Sequence, residues 1–124
     1  MKNLIFILFF IIIGCNQKNN LNIDPNKVYN NLLDQKDNII LLDVRTKEEV
    51  LENNIKNSIN IDFYSEDFKK TILNLDKSNT YYVYCRSGKR SLNTVEIMRE
   101  NGFTQSYNVE GGILKWVELS LPLK

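Results

Sequence analysis

The sequence predicts an α/β domain with an open, mostly parallel sheet flanked by helices on both faces. Three observations lead there. Apolar, β-branched or aromatic runs at 39–42, 80–83 and 105–109 alternate with stretches whose apolar residues recur at helical spacing. Ile39-Ile40-Leu41-Leu42 is apolar throughout, as in a strand covered on both faces. The chain has 124 residues and no internal repeat, so it has room for one domain.

The elements follow in order. Asp24-Pro25 pairs an N-cap residue with proline at the first helical position. Val28, Tyr29, Leu32 and Leu33 give that helix an apolar face to about Lys36. The strand at 39–42 runs into Asp43-Val44-Arg45. Thr46-Lys47-Glu48-Glu49 is a capping box that starts a short helix to about Asn53. Residues 58–61 read as a short strand. Ser65 is expected to cap a helix with Phe68, Ile72 and Leu73 on one face. The strand at 80–83 leads to Cys85, and Leu92, Val95 and Met98 then mark a helix that stops at Asn101-Gly102. After the strand at 105–109, Glu110-Gly111-Gly112 turns into a last helix carrying Ile113, Leu114, Trp116 and Val117. Ligands of such sheets bind beyond the carboxyl ends of the strands. Asp43 to Arg45 and Cys85 to Arg90 both fall there.

The stretch that carries chemistry is Tyr84-Cys85-Arg86-Ser87-Gly88-Lys89-Arg90-Ser91. It places a cysteine in a tight loop between a strand and a helix N-terminus, at a site expected to be exposed. Successive backbone N–H groups there can form an anion-binding nest, and the helix end adds partial positive charge. Arg86, Lys89 and Arg90 add three cations within five residues of the sulfur. Each of these features favours thiolate over thiol and lowers the cysteine pKa from its usual value. A cysteine at a strand end can also be a small buried hydrophobe, and a basic loop a solvated turn.

Composition narrows the choices. There are 16 basic and 15 acidic residues, which makes no case for nucleic acid. There is no histidine, which removes Cys-His and Ser-His catalysis and argues against a zinc site. The reading needs no metal and no cofactor. Cysteine chemistry here has to obtain its thiolate from backbone and cations.

The N-terminus reads as a targeting segment. Met1-Lys2-Asn3 is a short positive region, and the apolar run 4–13 is too short to span a bilayer, which takes about 20 residues. It ends in Ile12-Ile13-Gly14-Cys15, which resembles the lipobox of bacterial lipoproteins. That resemblance implies cleavage before Cys15, lipidation of Cys15, and a domain held at the bacterial cell envelope, outside the cytoplasm. Residues 1–14 are then a signal peptide, 15–23 the lipidated terminus and a flexible Asn/Lys/Gln-rich tether, and 24–124 the domain. An ordinary signal peptide and an uncleaved anchor are the alternatives. With Cys15 lipidated, Cys85 is the only thiol, so no intramolecular disulfide and no resolving cysteine are available.

From about Asp24 to Leu121 the chain resembles single-domain rhodaneses, the thiosulfate sulfurtransferase-like family. The six residues Cys85 to Arg90 match the family's active-site loop without gaps. Leu41-Leu42-Asp43-Val44-Arg45 resembles its Asp-Val-Arg segment, and Gly102-Phe103, Asn108-Val109 and Gly111-Gly112 with Trp116 its C-terminal pattern. Where the family has His-Ile-Pro-Gly-Ala this chain has Asn54-Ile55-Lys56-Asn57-Ser58, with Asn57 able to take the left-handed conformation that glycine would supply. The resemblance implies a rhodanese-like fold and a sulfane-sulfur transfer through a Cys85 persulfide. Arg86, Ser87, Gly88, Lys89 and Arg90 would bind a small anionic donor such as thiosulfate, with cyanide or a thiol as acceptor. Asp43 and Arg45 would brace neighbouring loops, and a monomer is the expected state. Two rivals remain: a persulfide carrier or binding module without turnover, and a cysteine-based phosphatase or arsenate reductase. The latter needs a Cys-x5-Arg loop, and here Arg90 is five residues after Cys85 with Ser91 sixth.

Overall fold

Alternate side chains of the central strands point to opposite faces, and both faces are apolar. Leu42, Tyr81 and Val83 face one helix layer, while Leu41, Tyr82 and Tyr84 face the other. The computed structural model describes residues 20–36 and 38–124. In chain order these form β1 (Asn22–Ile23), α1 (Pro25–Leu33), β2 (Ile39–Asp43), α2 (Lys47–Glu52), β3 (Ile59–Asn60), α3 (Phe68–Leu73), β4 (Thr80–Tyr84), α4 (Lys89–Glu100), β5 (Ser106–Val109) and α5 (Gly112–Glu118). The strands form one sheet in the order β1-β5-β4-β2-β3, with every pairing parallel. This is the α/β architecture that the alternation of runs predicts.

Two cores result. Phe68 and Ile72 of α3 and Val95 and Met98 of α4 pack on Leu42, Tyr81 and Val83. Val28 of α1 and Ile113 and Trp116 of α5 pack on Leu41, Tyr82 and Tyr84. Helix α2 buries no side chain and follows the carboxyl end of β2. The chain leaves β2 toward β3 on one side and leaves β4 toward β5 on the other. The crevice between the carboxyl ends of β2 and β4 is therefore the topological switch point, where such sheets bind ligands.

Several local expectations are corrected. Residues 22–23, expected in the tether, pair with β5 as β1, because Leu21 and Ile23 carbonyls accept from the Asn108 and Glu110 N–H groups (2.7 and 3.0 Å). Ser65 does not cap a helix. Its hydroxyl closes a turn on the Asp62 carbonyl at 2.9 Å, and α3 starts three residues later. Leu33 is 60% exposed, because α1 ends there. The Asp24 cap, the Pro25 start and the Thr46–Glu49 capping box are present as expected. The apolar run 4–13 and Cys15 lie outside the described residues.

The start of α5 seats the loop after β4. The N–H groups of Ile113 and Leu114 donate to the carbonyls of Cys85 (2.9 Å) and Arg86 (3.1 Å), so free helix-end donors meet free loop acceptors. This contact requires glycine at 112. Its φ is +62°, and a β-carbon there would overlap the Arg86 carbonyl and stand 2.6 Å from the Cys85 oxygen. Gly112→Ala should therefore cost about 2 kcal/mol or more, from left-handed strain plus overlap with backbone that cannot yield. Urea denaturation checks this, and an unchanged midpoint would show that the α5–loop contact is dispensable.

Candidate active site

Strand β4 delivers Cys85 to the switch point. Tyr84, the last strand residue, is buried, and its hydroxyl accepts from Ile55 N–H (3.3 Å) and lies 2.8 Å from Ser58 Oγ. The chain then turns through Gly88, whose φ of +103° makes it the left-handed N-cap of α4. The turn wraps the sulfur. Gly88 N–H donates to Cys85 Sγ at 3.1 Å, and the Ser91 hydroxyl, from the first turn of α4, lies within donating distance at 3.3 Å. Cys85 is only 1% exposed, contrary to the expectation of an exposed site, because the loop folds over it and α5 closes behind it. Burial pushes the thiol pKa up. The Ser91 hydroxyl and the backbone N–H groups of Ser91, Gly88 and Ser87 more than offset this, and the net shift is downward.

The three cations expected around the sulfur divide into two kinds. Arg86 and Lys89 are exposed and form no ion pair among the described residues. Arg90 is engaged: its guanidinium makes two parallel bonds to the Glu49 carboxylate (2.7 and 2.8 Å) and lies over the Tyr64 ring at 5.6 Å. Glu49 is also the third helical residue of the α2 capping box, so one carboxylate ties α2 to α4 across the site. The Arg90 bonds, set against partial burial, hold the Glu49 carboxyl at about 2. Glu49 supplies a partner that spacing alone does not reveal, since it lies 41 residues from Arg90.

Asp43 and Arg45 form a buried pair on the neighbouring strand end. Arg45 Nη2 meets Asp43 Oδ2 at 2.8 Å and Nε meets Oδ1 at 3.0 Å. The same guanidinium donates to the Glu49 and Asn53 carbonyls and to Asn53 Oδ1, and lies 5.5 Å from the Tyr84 ring centre. Asn60 Nδ2 bonds the Asp43 and Arg45 carbonyls, each at 2.9 Å. Asn57 has a φ of +66°, the left-handed conformation that its position was expected to need. A groove of about 450 Å³ lies between α2 and α5, lined by Arg45, Glu49, Glu52, Asn53, Arg86, Ile113 and Leu114.

Two residues of the site carry no signal in the loop motif: Ser91, which touches the sulfur, and Asn108, which touches Ser91. In the sequence Ser91 is only the residue after the loop, and Asn108 only part of the C-terminal pattern. Ser91 Oγ bonds Asn108 Oδ1 at 2.5 Å, and Asn108 Nδ2 donates to Asn22 at 2.9 Å. A helix start one turn past a loop cysteine is the signal that could have found Ser91; nothing local could have found Asn108.

The Glu49–Arg90 bridge makes an acid-stability prediction. Because the folded carboxyl sits at about 2, below its usual 4.5, its contribution is full above pH 4.5 and is lost as pH falls toward 2. Glu49→Gln should cost about 1–3 kcal/mol at pH 7 and flatten the stability–pH profile between those limits. Denaturation midpoints between pH 2 and 7 measure this; parallel profiles for the two proteins would refute the bridge's role.

A family model for the rhodanese-like domain matches residues 24–119. The candidate sulfurtransferase YtwF of Bacillus subtilis is 40% identical over 78 residues, 63% of this chain and 73% of that protein. A sulfurtransferase of Allochromatium vinosum is 27% identical over 101 residues, covering 82% of this chain and 92% of its own. Among solved structures, a rhodanese-related protein from Thermoplasma volcanium matches with a TM-score of 0.73 and 31% identity, over 83% of this chain and 96% of that one. A rhodanese-like domain protein from Staphylococcus aureus matches with a TM-score of 0.68 and 33% identity, over 77% and 89%. With the switch-point cysteine loop in place and matches over most of its length, the chain belongs to the rhodanese-like domain family.

Proposed function

We propose that the protein is a sulfurtransferase that moves a sulfane sulfur from thiosulfate, or a related anionic donor, to cyanide or a thiol through a Cys85 persulfide. The observation that carries this is the ring of hydrogen donors around Cys85 Sγ, in a loop that also exposes Arg86 and Lys89. Relatives named as sulfurtransferases support it.

The thiolate of Cys85 attacks the outer sulfur of thiosulfate. The S–S bond breaks, and sulfite leaves with the bonding electron pair. Backbone N–H groups of Arg86 to Arg90 cradle the outer sulfur of the persulfide, and Ser87 adds a hydroxyl. Arg86 and Lys89 attract the dianion and offset charge growing on the leaving sulfite. Arg90 acts with its partner Glu49, holding the loop and adding positive potential. Cyanide or a thiolate then attacks the outer sulfur and regenerates the Cys85 thiolate. Asp43 and Arg45 brace the facing loop.

Localisation belongs to the same reading. Ile12-Ile13-Gly14-Cys15, at the end of the apolar run, supports a lipid on Cys15 and a domain at the bacterial envelope. Cys15→Ala should then move the protein from the membrane to the soluble fraction, and a variant that stays membrane-bound contradicts lipidation.

Thiocyanate formation tests the chemistry. Cys85→Ser should lower turnover by at least about 10³-fold. Arg86→Ala combined with Lys89→Ala should raise KM for thiosulfate roughly tenfold at low salt, with a smaller fall in kcat from the lost stabilisation of the leaving sulfite, and both effects should shrink at high salt. Activity retained by Cys85→Ser would overturn the persulfide route. An unchanged KM in the double variant would assign donor binding to the backbone alone.

A further inference from the structure

Ser91 has one hydroxyl proton and two acceptors in reach. Its Oγ lies 3.3 Å from Cys85 Sγ and 2.5 Å from Asn108 Oδ1, and only one of them can take the proton at a time. Asn108 Nδ2 in turn donates to Asn22 Oδ1. Ser91 and Asn108 are buried, so water does not replace a missing bond, and Asn22 is exposed on β1. Cys85, Ser91, Asn108 and Asn22 thus form one line from the sulfur to the sheet edge.

With Asn108 Oδ1 facing Ser91, the short bond draws the hydroxyl proton away from the sulfur. That direction suits the thiol, whose own S–H can point at Ser91 Oγ. The thiolate needs the opposite direction. If both amides turn over, Asn22 donates to Asn108, Asn108 Nδ2 donates to Ser91 Oγ, and Ser91 donates to the sulfur. An amide carries donor and acceptor at nearly equivalent positions, so the reversal needs only that Ser91 Oγ and the Asn108 amide separate from 2.5 Å to the usual N–H···O range of about 2.7–3.2 Å.

We propose that Asn108 is a positioning residue: together with Asn22 it sets the direction of the Ser91 hydroxyl, and the line reverses as Cys85 passes from thiol to thiolate. The proton lost by the thiol leaves to solvent, and every other hydrogen stays on its own atom. The proposal deepens the sulfurtransferase reading, but its test reads thiol ionisation and needs no turnover. The charged groups around Cys85 lie off this line. They are Arg90 of α4 with Glu49 of α2, Arg86 and Lys89 of the loop, and the Asp43–Arg45 pair after β2. From β5 and α5 the loop meets Asn108, Gly112 and Ile113, all uncharged.

The test is Asn22→Asp. A carboxylate only accepts, so it locks Asn108 Nδ2 toward position 22 and Oδ1 toward Ser91, denying the thiolate its hydroxyl donor. Iodoacetamide, a neutral probe, alkylates Cys85 of the full chain across a pH series, with the adduct quantified on the Cys85 peptide. Asn22→Asp should raise the alkylation midpoint by about half a pH unit, roughly threefold less thiolate below it. Asn22→Leu, which leaves Asn108 free to turn, should give no upward shift. In a Ser91→Ala background Asn22→Asp should lose most of its effect. If Ser91→Ala does not fold, 1 M salt separates the causes: an effect of surface charge collapses, whereas the hydrogen-bond effect persists. A wild-type midpoint in Asn22→Asp, an equal shift in both backgrounds, or a shift abolished by salt overturns the proposal.

Discussion

Hydrogen bonds to the Cys85 sulfur are the interaction around which the rest of the structure is arranged. A cysteine that is 1% exposed gains little help from water, and the chain has no histidine to take its proton. Stabilisation therefore has to come from donors fixed in advance by the backbone. The turn at Gly88 aims N–H groups inward, and the first turn of α4 adds the Ser91 N–H and hydroxyl. The backbone N–H donors need no reorganisation when charge appears, which is how a low-polarity site can favour an anion, and the Ser91 hydroxyl is the one donor that has to turn. The cost is a loop whose own carbonyls turn outward, and α5 answers it by donating to Cys85 and Arg86.

Two ion pairs frame this loop, and they differ in kind. Arg45–Asp43 is buried, and a guanidinium with carboxylate, carbonyl and amide partners is fully employed in shaping the facing loop. Removing one member of such a pair costs about 3–5 kcal/mol, because the other charge stays behind without compensation. Arg90–Glu49 is partly exposed and links two helices that share no other ion pair among the described residues. Its geometry is bidentate, which gives direction as well as energy. The division leaves Arg86 and Lys89 as the cations open to solvent, and so as the pair that an incoming anion meets.

Much of this was legible in the chain. Asp24-Pro25 and Thr46-Lys47-Glu48-Glu49 announce their helices because capping chemistry is local, and the run at 39–42 announces a doubly covered strand because its burial is uniform. The cysteine loop was legible for the same reason: nest, helix end and cations all sit within eight residues. What escaped was set by distance. Residues 22–23 carry no strand signal of their own and become β1 only because β5 offers a ladder. Arg90 looks free until Glu49 arrives from another helix, and Asn108 is a strand residue whose partners come from α4 and β1. Ser65 misled because a hydroxyl before an apolar run suits a tight turn as well as a helix cap.

Sulfur transfer by this route requires one covalent event at one sulfur. Its most direct test is the intact mass of the domain after mixing with thiosulfate. A gain of about 32 Da located on Cys85, removed by cyanide with release of thiocyanate, is the predicted result. An unmodified Cys85 that still alkylates freely, with thiosulfate and with other sulfane donors alike, would contradict the persulfide mechanism.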